Sequence, residues 1–500
     1  MWIPYVTAAA SGLLLVLAFP PFDFGVLAFV APVPLLWGLR HTERPGTALA
    51  AGFVFGAIFF GILLRWILVI GAVAWVPLTL YLASTAAAYA FLVWFVRLWP
   101  AWRWWLVVIG GWALWEFLRA RFPFGGFPWG GLGYAAAGNP GALGATQWVG
   151  PTGWTVLAVA VAAGVVLVIE DHRHWRHAVD SLAVVLLLVL CGALFAPSAD
   201  GDEVRVAVVQ GNSPCPMTRC QNENKRIYES HMALTQRLVE GTVDLVVWAE
   251  NSTGSPYEPE GNPDVAEAIA SEAQRLGAYV MVSGTRSAGP GEFANVNMLW
   301  SPSGLKVGEY FKQHPVPFGE YVPFRSALDF IPQLERVPRD MVRGDETVVF
   351  SMVGGDLGSL ISFEGAFIRH LRASVREGAE LLVVATNESS YGEGPAADQF
   401  IDMTRVGAAA MGMDLVHAAI TGKSTIIAAD GTYGDTTDLL STEVLFGRAA
   451  FRDAGSTLYA RFGDVLSTLA IVIALALLAS PIADRIRRRG IDHPDQGLTT

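Results

Sequence analysis

Charged side chains are scarce in this chain of 500 residues. Only 16% of the residues are Asp, Glu, Lys or Arg, whereas a soluble globular chain carries about 25%. The deficit lies before residue 200 and after residue 464, and the mean hydropathy is +0.41. This composition excludes a chain that is soluble along its whole length and predicts membrane segments that flank a soluble domain. The net charge of −11 argues against a nucleic-acid partner.

Cysteine is rare as well, with three in the chain. Cys191 falls in an apolar stretch, where a small buried hydrophobe is its expected role. Cys215 and Cys220 lie in a polar loop, and that position is compatible with a disulfide or with two free thiols. No further Cys or His pair completes a set of zinc ligands, so we expect neither a metal site nor another cofactor.

Long apolar runs, by contrast, are frequent, and about eight of them approach the roughly 18–20 residues that cross a bilayer. No basic segment precedes the first run and no small-residue cleavage site follows it, so we expect a membrane span there rather than a signal peptide. The runs are Trp2–Phe19, Phe24–Leu39, Thr47–Leu64, Pro77–Phe95, Trp104–Phe117, Gly153–Ile169, Leu182–Ala196 and Val465–Ile482.

Basic residues between these runs predict how the chain is oriented in the membrane. If the spans alternate, four arginine-containing segments fall on one side, and the positive-inside rule makes that side cytoplasmic. Both termini then lie in the cytoplasm, and the large domain before the last span is extracytoplasmic. The arginines are Arg40, Arg44, Arg97, Arg103, Arg173, Arg176, Arg485, Arg487, Arg488 and Arg489.

From Val204 onward, short runs rich in Val, Leu and Ile alternate with amphipathic helical windows, which predicts an α/β layered domain. The predicted boundaries are 1–199 for a membrane domain of about seven helices, 200–462 for the soluble domain, 463–485 for the last span and 486–500 for a basic tail. The predicted strands are 204–210, 245–249, 279–284, 296–300, 359–363, 381–385, 415–418 and 424–429. The predicted helices are 223–239, 263–276, 366–376 and 397–413.

Polar side chains come directly after several predicted strands. Glu250 follows the second strand, and Ser362 and Glu364 close the fifth. Asn387 and Glu388 follow the sixth, where we interpret Glu388 as a solvated turn residue. Because catalytic groups gather at the carboxyl ends of strands in α/β sheets, this coincidence predicts an active site.

Lysine is the scarcest charged residue, with only Lys225, Lys306, Lys312 and Lys423 in the chain. Lys312 precedes the run Pro-Val-Pro-Phe-Gly-Glu, which ends at Glu320. That setting is too apolar and proline-rich for an ordinary surface loop. We therefore add Lys312 to the candidate site.

The chain resembles the bacterial apolipoprotein N-acyltransferases, whose soluble domain belongs to the nitrilase, or carbon–nitrogen hydrolase, superfamily. The resemblance covers nearly all 500 residues, including the arrangement of about eight spans with the domain between the last two. The segment from Lys312 to Pro323 is the most specific part. The other matching segments are 116–119, 126–129 and 132–134 in the membrane part, and 208–212, 248–250, Asn297, 343–344 and 362–364 in the soluble part.

This resemblance implies an αββα sandwich domain outside the bacterial plasma membrane and a two-step acyl transfer. A phospholipid gives an acyl chain to the nucleophile, which passes it to the N-terminal amine of a diacylglyceryl-cysteine lipoprotein. By position, Glu250 is the general base, Lys312 stabilises the oxyanion and Ser362 stands where the family has its nucleophilic cysteine. The supporting active-site groups are Glu320, Glu364 and Asn297.

Ser362 is the largest departure from the family pattern, because none of the three cysteines lies at the nucleophile position. The family's Asn-Asp-x-Trp-Phe-Gly turn reads Asn-Glu-Ser-Ser-Tyr-Gly at 387–392, and its Gln-His pair reads Gln399-Phe400. A later Arg-x-Thr-Asn-x-Gly pattern begins with His417, and Phe363 replaces a common tyrosine. Two explanations stay open: an introduced exchange of cysteine for serine, and a natural, divergent paralogue.

Three functions are compatible with this sequence. The first is the acyl transfer described above. The second is a non-catalytic protein that binds lipoprotein or lipid, or supports a partner membrane enzyme such as a polyprenol-phosphate glycosyltransferase. The third is a membrane-tethered amidase for small amides, which leaves the large apolar half unexplained. An aromatic loop at 122–134 either lies beside the site or forms an interfacial belt without substrate contact.

Overall fold

The computed structural model describes residues 2–195, 197, 201–216, 220–328 and 330–491, with side chains up to residue 480. The predicted boundary at 199–200 and most of the predicted basic tail lie outside these ranges. A helical part that is rich in apolar residues precedes a two-sheet domain, and one more long helix follows it.

Each of the eight predicted apolar runs coincides with a helix. Among the described residues, four helical stretches are long and apolar enough to cross a membrane: Pro45–Leu63, Ala72–Phe95, Pro140–Glu170 and His172–Leu194. The helices of this part are α1 (Ile3–Val16), α2 (Pro32–Arg40), α3 (Pro45–Leu63), α4 (Ala72–Phe95), α5 (Ala101–Arg119), α6 (Pro140–Glu170) and α7 (Trp175–Leu194).

The domain that follows contains two six-membered rows of strands. The first row has the order β14-β1-β2-β4-β5-β6, with β3 beside β4 and β7 beside β5, and the second has the order β13-β12-β11-β10-β9-β8. The strands are β1 (Glu203–Gln210), β2 (Leu245–Trp248), β3 (Thr253–Gly254), β4 (Tyr279–Gly289), β5 (Glu292–Trp300), β6 (Lys306–Phe311), β7 (Asp340–Met341), β8 (Val349–Met352), β9 (Gly355–Ile361), β10 (Leu381–Thr386), β11 (Leu415–Ala419), β12 (Thr425–Ile427), β13 (Tyr433–Thr436) and β14 (Glu443–Ala450).

Helices cover the outer faces of the two sheets, which gives the expected αββα sandwich. The helices of this part are α8 (Glu223–Thr235), α9 (Pro263–Leu276), α10 (Arg325–Leu328), α11 (Ile368–Arg376), α12 (Ala396–Met411), α13 (Leu458–Phe462) and α14 (Val465–Ile491). Val247 and Val383 meet in the core between the sheets, while α8 and α9 pack on the other face of the first sheet. Because successive side chains of a strand point to opposite faces, each strand of the first sheet contributes both to the core between the sheets and to the core under α8 and α9.

The outer layer of the second sheet belongs to the same hydrophobic core as the membrane-type helices. Leu371 of α11 and Phe400 of α12 are buried in one cluster with Trp154 of α6. The Tyr134 hydroxyl donates to the carbonyl of Ala366 at 3.0 Å, and Trp129 Nε1 donates to Gln399 Oε1 at 2.8 Å. The sandwich is therefore packed directly on the helices rather than joined by a linker.

The structure confirms the predicted interior strands. Most of the predicted helices begin and end within two residues of the observed helices. Helix α9 has the predicted bounds, because a proline begins it and Gly277 ends it in the left-handed conformation. The strands that the sequence did not indicate include β6 and the edge strand β14. An edge strand has a partner on one side only, so its apolar pattern is weaker. Cys215 and Cys220 form a disulfide, which decides between the two alternatives.

Leu371→Ala tests the shared core. Leu371 is completely buried where α11 meets the membrane-type helices, and such a truncation costs about 2–5 kcal/mol. We expect a lower midpoint of thermal unfolding in detergent. The matched control is Leu305→Ala, because Leu305 is 69% exposed. Equal midpoints for the two variants would contradict the shared core.

Candidate active site

The two sheets bring three predicted residues to one place, the edge where strands β2, β6 and β9 end. Glu250 lies two residues after β2, and Lys312 follows β6 directly in the first sheet. Ser362 follows β9 directly in the second sheet. A site at this edge therefore depends on how the second sheet is positioned against the first.

The Glu250 carboxylate is 3% exposed and joins both sheets. Its Oε1 accepts from Asn295 Nδ2 at 2.7 Å and from Lys312 Nζ at 3.2 Å. Its Oε2 accepts from the backbone N–H of Asn387 at 2.7 Å. Burial raises the pKa of Glu250, and Lys312 counteracts this rise. The result is a carboxylate that is held in place and is more basic than an exposed one.

The Lys312 ammonium is closed off from solvent between two carboxylates. Its side chain is 0% exposed, and Nζ donates to Glu320 Oε1 at 2.6 Å as well as to Glu250. Burial alone would lower the pKa of Lys312, but Glu250 and Glu320 raise it above its usual value. Lys312 is therefore a permanent cation at neutral pH.

Glu320 is itself fixed by the turn that carries it. Its Oε2 accepts from the Val316 N–H at 2.7 Å, and its carbonyl accepts from the Met341 N–H at 2.8 Å. The proline-rich run after Lys312 thus folds back so that its terminal carboxylate reaches the ammonium. The run reaches the surface at Phe318, which is 47% exposed, while both of its ends are held at the site.

Ser362 has a left-handed backbone conformation, with φ of 55°. Such a conformation is uncommon for a residue other than glycine and occurs at functional turns, where it presents a side chain. Ser362 is only half-buried, and its hydroxyl interacts with the Glu250 carboxylate, whose pKa it lowers. The hydroxyl is thus accessible and lies beside a base.

Glu364 supports the site without touching Lys312. Its Oε1 accepts from the N–H groups of Gln313 and His314 at 2.6 and 3.0 Å, and its Oε2 accepts from Tyr310 and from the Ile361 N–H, both at 2.8 Å. Burial raises the pKa of Glu364. This carboxylate holds the turn of Ser362 against the loop of Lys312.

Asn295, and not the predicted Asn297, contacts the Glu250 carboxylate. Asn297 Nδ2 donates to Ser359 Oγ at 2.8 Å, so this side chain joins β5 to β9 below the site. Asn295, which the sequence analysis did not single out, is the residue that contacts Glu250. The alternation Asn-x-Asn on one face of β5 was the available signal, because both amides are buried in an otherwise apolar strand.

The interpretation of Glu388 as a solvated turn residue is wrong. Glu388 is 3% exposed, and its Oε1 lies 3.1 Å from His417 Nε2. Burial raises the pKa of Glu388. The turn is covered by the membrane-type part, since the Tyr391 ring packs on Trp66 at 4.8 Å between centroids. The polar sequence of this turn could not predict that the membrane-type part covers it.

The aromatic loop at 122–134 approaches the site from the membrane-type part. The Phe127 ring lies 5.9 Å from that of Phe363, the residue after Ser362. Arg369 donates to the carbonyls of Ala120 and Gly125 at 2.7 and 2.9 Å, which fastens the loop to α11. The loop therefore lies beside the turn that carries Ser362.

A serine hydroxyl, a buried carboxylate and a buried lysine thus lie together at the ends of three strands. The family model for carbon–nitrogen hydrolase matches residues 205–457, and the model for the apolipoprotein N-acyltransferase N-terminal domain matches residues 11–164. The chain therefore belongs to the apolipoprotein N-acyltransferase family.

Full-length relatives agree with this assignment. The chain is 31% identical to the apolipoprotein N-acyltransferase of Geobacter metallireducens, with 98% of this chain and 96% of the relative covered. It is 30% identical to that of Gloeobacter violaceus, with 97% and 95% covered. A carbon–nitrogen hydrolase structure from Helicobacter pylori is similar at 18% identity and a TM-score of 0.39, covering 52% of this chain and 92% of that structure.

Two histidines, the buried His314 and the partly exposed His370, flank the site behind Phe363. They lie 5.5 Å apart between ring centroids. Burial, together with the charges of His370 and Arg369, lowers the pKa of His314 to about 3, and burial together with the charge of Arg369 lowers the pKa of His370 to about 4. Both rings therefore stay neutral in the folded protein near pH 6.5, where the histidines of an unfolded chain begin to take up protons.

Acid should consequently destabilise the protein through His370. Its folded pKa lies below the unfolded value, so the stabilisation is present above about pH 6.5 and is lost as the pH falls towards 4. At pH 4.5 the loss amounts to about 2–3 kcal/mol. In His370→Asn the midpoint of thermal unfolding should fall less between pH 6.5 and 4.5 than in the native chain. His172→Asn is the exposed control, and equal falls in all three proteins would refute this account.

Proposed function

We propose that this protein transfers a fatty acyl chain from a phospholipid to the N-terminal amine of a diacylglyceryl-cysteine lipoprotein, through an acyl ester on Ser362. The observation that carries the proposal is the buried Glu250 carboxylate, which accepts from Lys312 Nζ at 3.2 Å and whose pKa the Ser362 hydroxyl lowers. Membership of the apolipoprotein N-acyltransferase family gives the substrate classes.

The first step forms an ester on Ser362. Ser362 Oγ attacks the acyl carbonyl of the phospholipid while Glu250 takes the hydroxyl proton. The negative charge that develops on the carbonyl oxygen is stabilised by the Lys312 ammonium. Collapse of the intermediate breaks the ester bond of the lipid, and Glu250 returns the proton to the departing lysophospholipid.

The second step moves the acyl chain to nitrogen. The lipoprotein amine attacks the Ser362 ester, Glu250 accepts the amine proton, and the same proton returns to Ser362 Oγ as the ester bond breaks. Glu320 keeps Lys312 in place, and Glu364 and Asn295 keep the two loops in place. Each residue therefore ends the cycle as it began.

Serine makes this reaction slow. A thiol is a few per cent ionised near neutral pH and is intrinsically very nucleophilic, whereas a hydroxyl depends on its base. Histidine is the usual base for serine, and the contacts of Ser362 give it a carboxylate instead. We therefore expect turnover that is well below that of a cysteine enzyme.

Ser362→Cys should raise the rate of acyl transfer by at least about tenfold, because a thiolate needs less help from Glu250. Glu250→Gln should lower it by about 10²–10⁴-fold, because the base is lost. The measurement is mass spectrometry of the N-acylated product after purified protein is mixed with phospholipid and a diacylglyceryl-cysteine peptide. Ser301→Cys, at a surface turn, is the control for adding a thiol.

A product that forms equally well in Ser362→Ala would remove Ser362 from the mechanism. If only Ser362→Cys forms product, the native chain is no catalyst. That outcome supports the second candidate, a binding or scaffold protein for lipoprotein, lipid or a partner membrane enzyme. The serine at position 362 is the observation that favours this candidate. Recovery of a partner enzyme with the protein from membranes tests it, and recovery of the protein alone counts against that partner.

We propose that eight helices cross the bacterial plasma membrane, with both termini in the cytoplasm and the sandwich outside. The boundaries are those given above, with 1–199 and 463–485 in the membrane part and 200–462 outside it. Arginines at the connections between α2 and α3, α4 and α5, and α6 and α7 support this orientation. Helices α1 and α2 are short for a membrane span, and in this topology the neighbouring helices that pack against them offset the mismatch with the bilayer thickness.

Cysteine labelling in intact cells tests this topology. A cysteine at Val353, which is 85% exposed on the sandwich, should react with a membrane-impermeant thiol reagent added outside. A cysteine at Arg103 should react only after the membrane is opened, because the beginning of α5 lies on the cytoplasmic side in this topology. The opposite pattern would place the sandwich in the cytoplasm.

A further inference from the structure

A second cleft lies apart from Ser362, between α5, α6, α14 and the beginning of α11. It is partly open to the outside and is lined by 18 residues that include neither Glu250, Lys312 nor Ser362. Phe367 separates the two places, because it lines the cleft and its ring lies 4.9 Å from that of Phe363. The membrane-part motifs at 116–119 and 132–134 meet here.

The cleft forms because α5 and α14 are in contact at Gly110 and Ala470 but are separated at Glu116 and Asp464. A Cβ on Gly110 would lie 2.1 Å from the Ala470 carbonyl oxygen, so the helices are in backbone contact there. Glu116 is six residues further along α5, about 9 Å at the rise of an α-helix. At that level Asp464 and Ser467 form the opposite wall.

The acidic residues of the cleft already have donors. Glu116 accepts from Trp112 Nε1, the Leu132 N–H and Thr155 Oγ1 at 2.8–3.0 Å. Asp464 Oδ1 accepts from Thr152 and Tyr459 at 2.7 and 2.6 Å. Their capacity is largely used within the protein, so they do not call for a cation.

The basic residues keep donors to spare. Arg119 is 2% exposed, and its Nε has no hydrogen-bond acceptor among the described residues. Arg121 and Arg369 line the same cleft, and burial together with Arg121 lowers the pKa of Arg369 to about 10. Helix α11 begins at the cleft with Ile368 and Arg369, so the positive end of its dipole lies there. The lining is therefore suited to an anion with several oxygens.

The surroundings of the cleft are apolar. Phe117 lines it and is 42% exposed, and Val465 and Leu469 of α14 are 49% and 52% exposed. These surfaces would lie against acyl chains if the helices cross a membrane as proposed. A ligand at this place would have its charge in the cleft and its apolar part along α5 and α14.

We propose that this cleft binds the phosphate headgroup of a glycerophospholipid at a site separate from the one at which acyl transfer occurs. The proposal rests on the membrane placement proposed above, but not on catalysis by Ser362. The lipid phosphate accepts from Arg119, Arg121 and Arg369, and its chains cover the exposed faces of α5 and α14. The bound lipid would fill the gap between these helices beside the aromatic loop.

Native mass spectrometry of the full chain in detergent tests this proposal. Dioleoylphosphatidylglycerol is titrated into Ser362→Ala protein, in which acyl transfer cannot consume it. Two further changes are made in that background: Arg121→Gln with Arg369→Gln, which removes charge, and Ser467→Phe, which fills the cleft. Arg176→Gln is the control, because it removes an exposed membrane-end arginine elsewhere.

We expect the charge variant and the filled variant each to weaken binding of one phospholipid at least about tenfold, while Arg176→Gln leaves it unchanged. Dioleoylglycerol, which lacks the phosphate, should not compete. Unchanged binding in both variants that fold would overturn the proposal. Competition by dioleoylglycerol, or binding of inorganic phosphate with no binding of the lipid, would overturn it as well. Loss of acyl transfer in the native chain alone would count only against Ser362.

Discussion

The enclosure of the Lys312 ammonium between two carboxylates is the constraint on which the rest of the site depends. A buried charge costs several kcal/mol unless opposite charges and hydrogen bonds surround it. Glu250 and Glu320 meet that requirement from two different loops. Any shift of β2 against β6 would leave a charge without its partner, so the ion cluster fixes both loops.

The second sheet enters this arrangement through Glu250. The Asn387 N–H and the Ser362 hydroxyl both reach this carboxylate from strands β10 and β9. Outside the sheets, α11 and α12 share their core with the membrane-type helices, and the aromatic loop packs on Phe363. The half-buried Ser362 is thus carried by the sandwich and lies beside the aromatic loop of the membrane-type part.

Two of the strand ends were readable from the sequence, because Glu250 and Ser362 each follow an apolar run, whereas Lys312 follows β6, which the sequence did not indicate. What the sequence could not give depends on contacts between distant segments. Asn295 lies one residue before the predicted strand 296–300, and only the fold brings it to Glu250. Glu388 looked like a turn residue because its cover comes from His417 and from the membrane part. The cleft at Glu116 and Asp464 joins residues far apart in the chain.

The central claim is that Ser362 receives an acyl chain next to Glu250 and Lys312. The most direct measurement is the mass of the peptide that contains Ser362 after the protein is incubated with a phospholipid of known acyl composition and no acceptor. The account predicts one fatty acyl group on Ser362, which is lost when a diacylglyceryl-cysteine peptide is added. An acyl group on another residue, or an unmodified Ser362 under conditions in which Ser362→Cys is acylated, would contradict it.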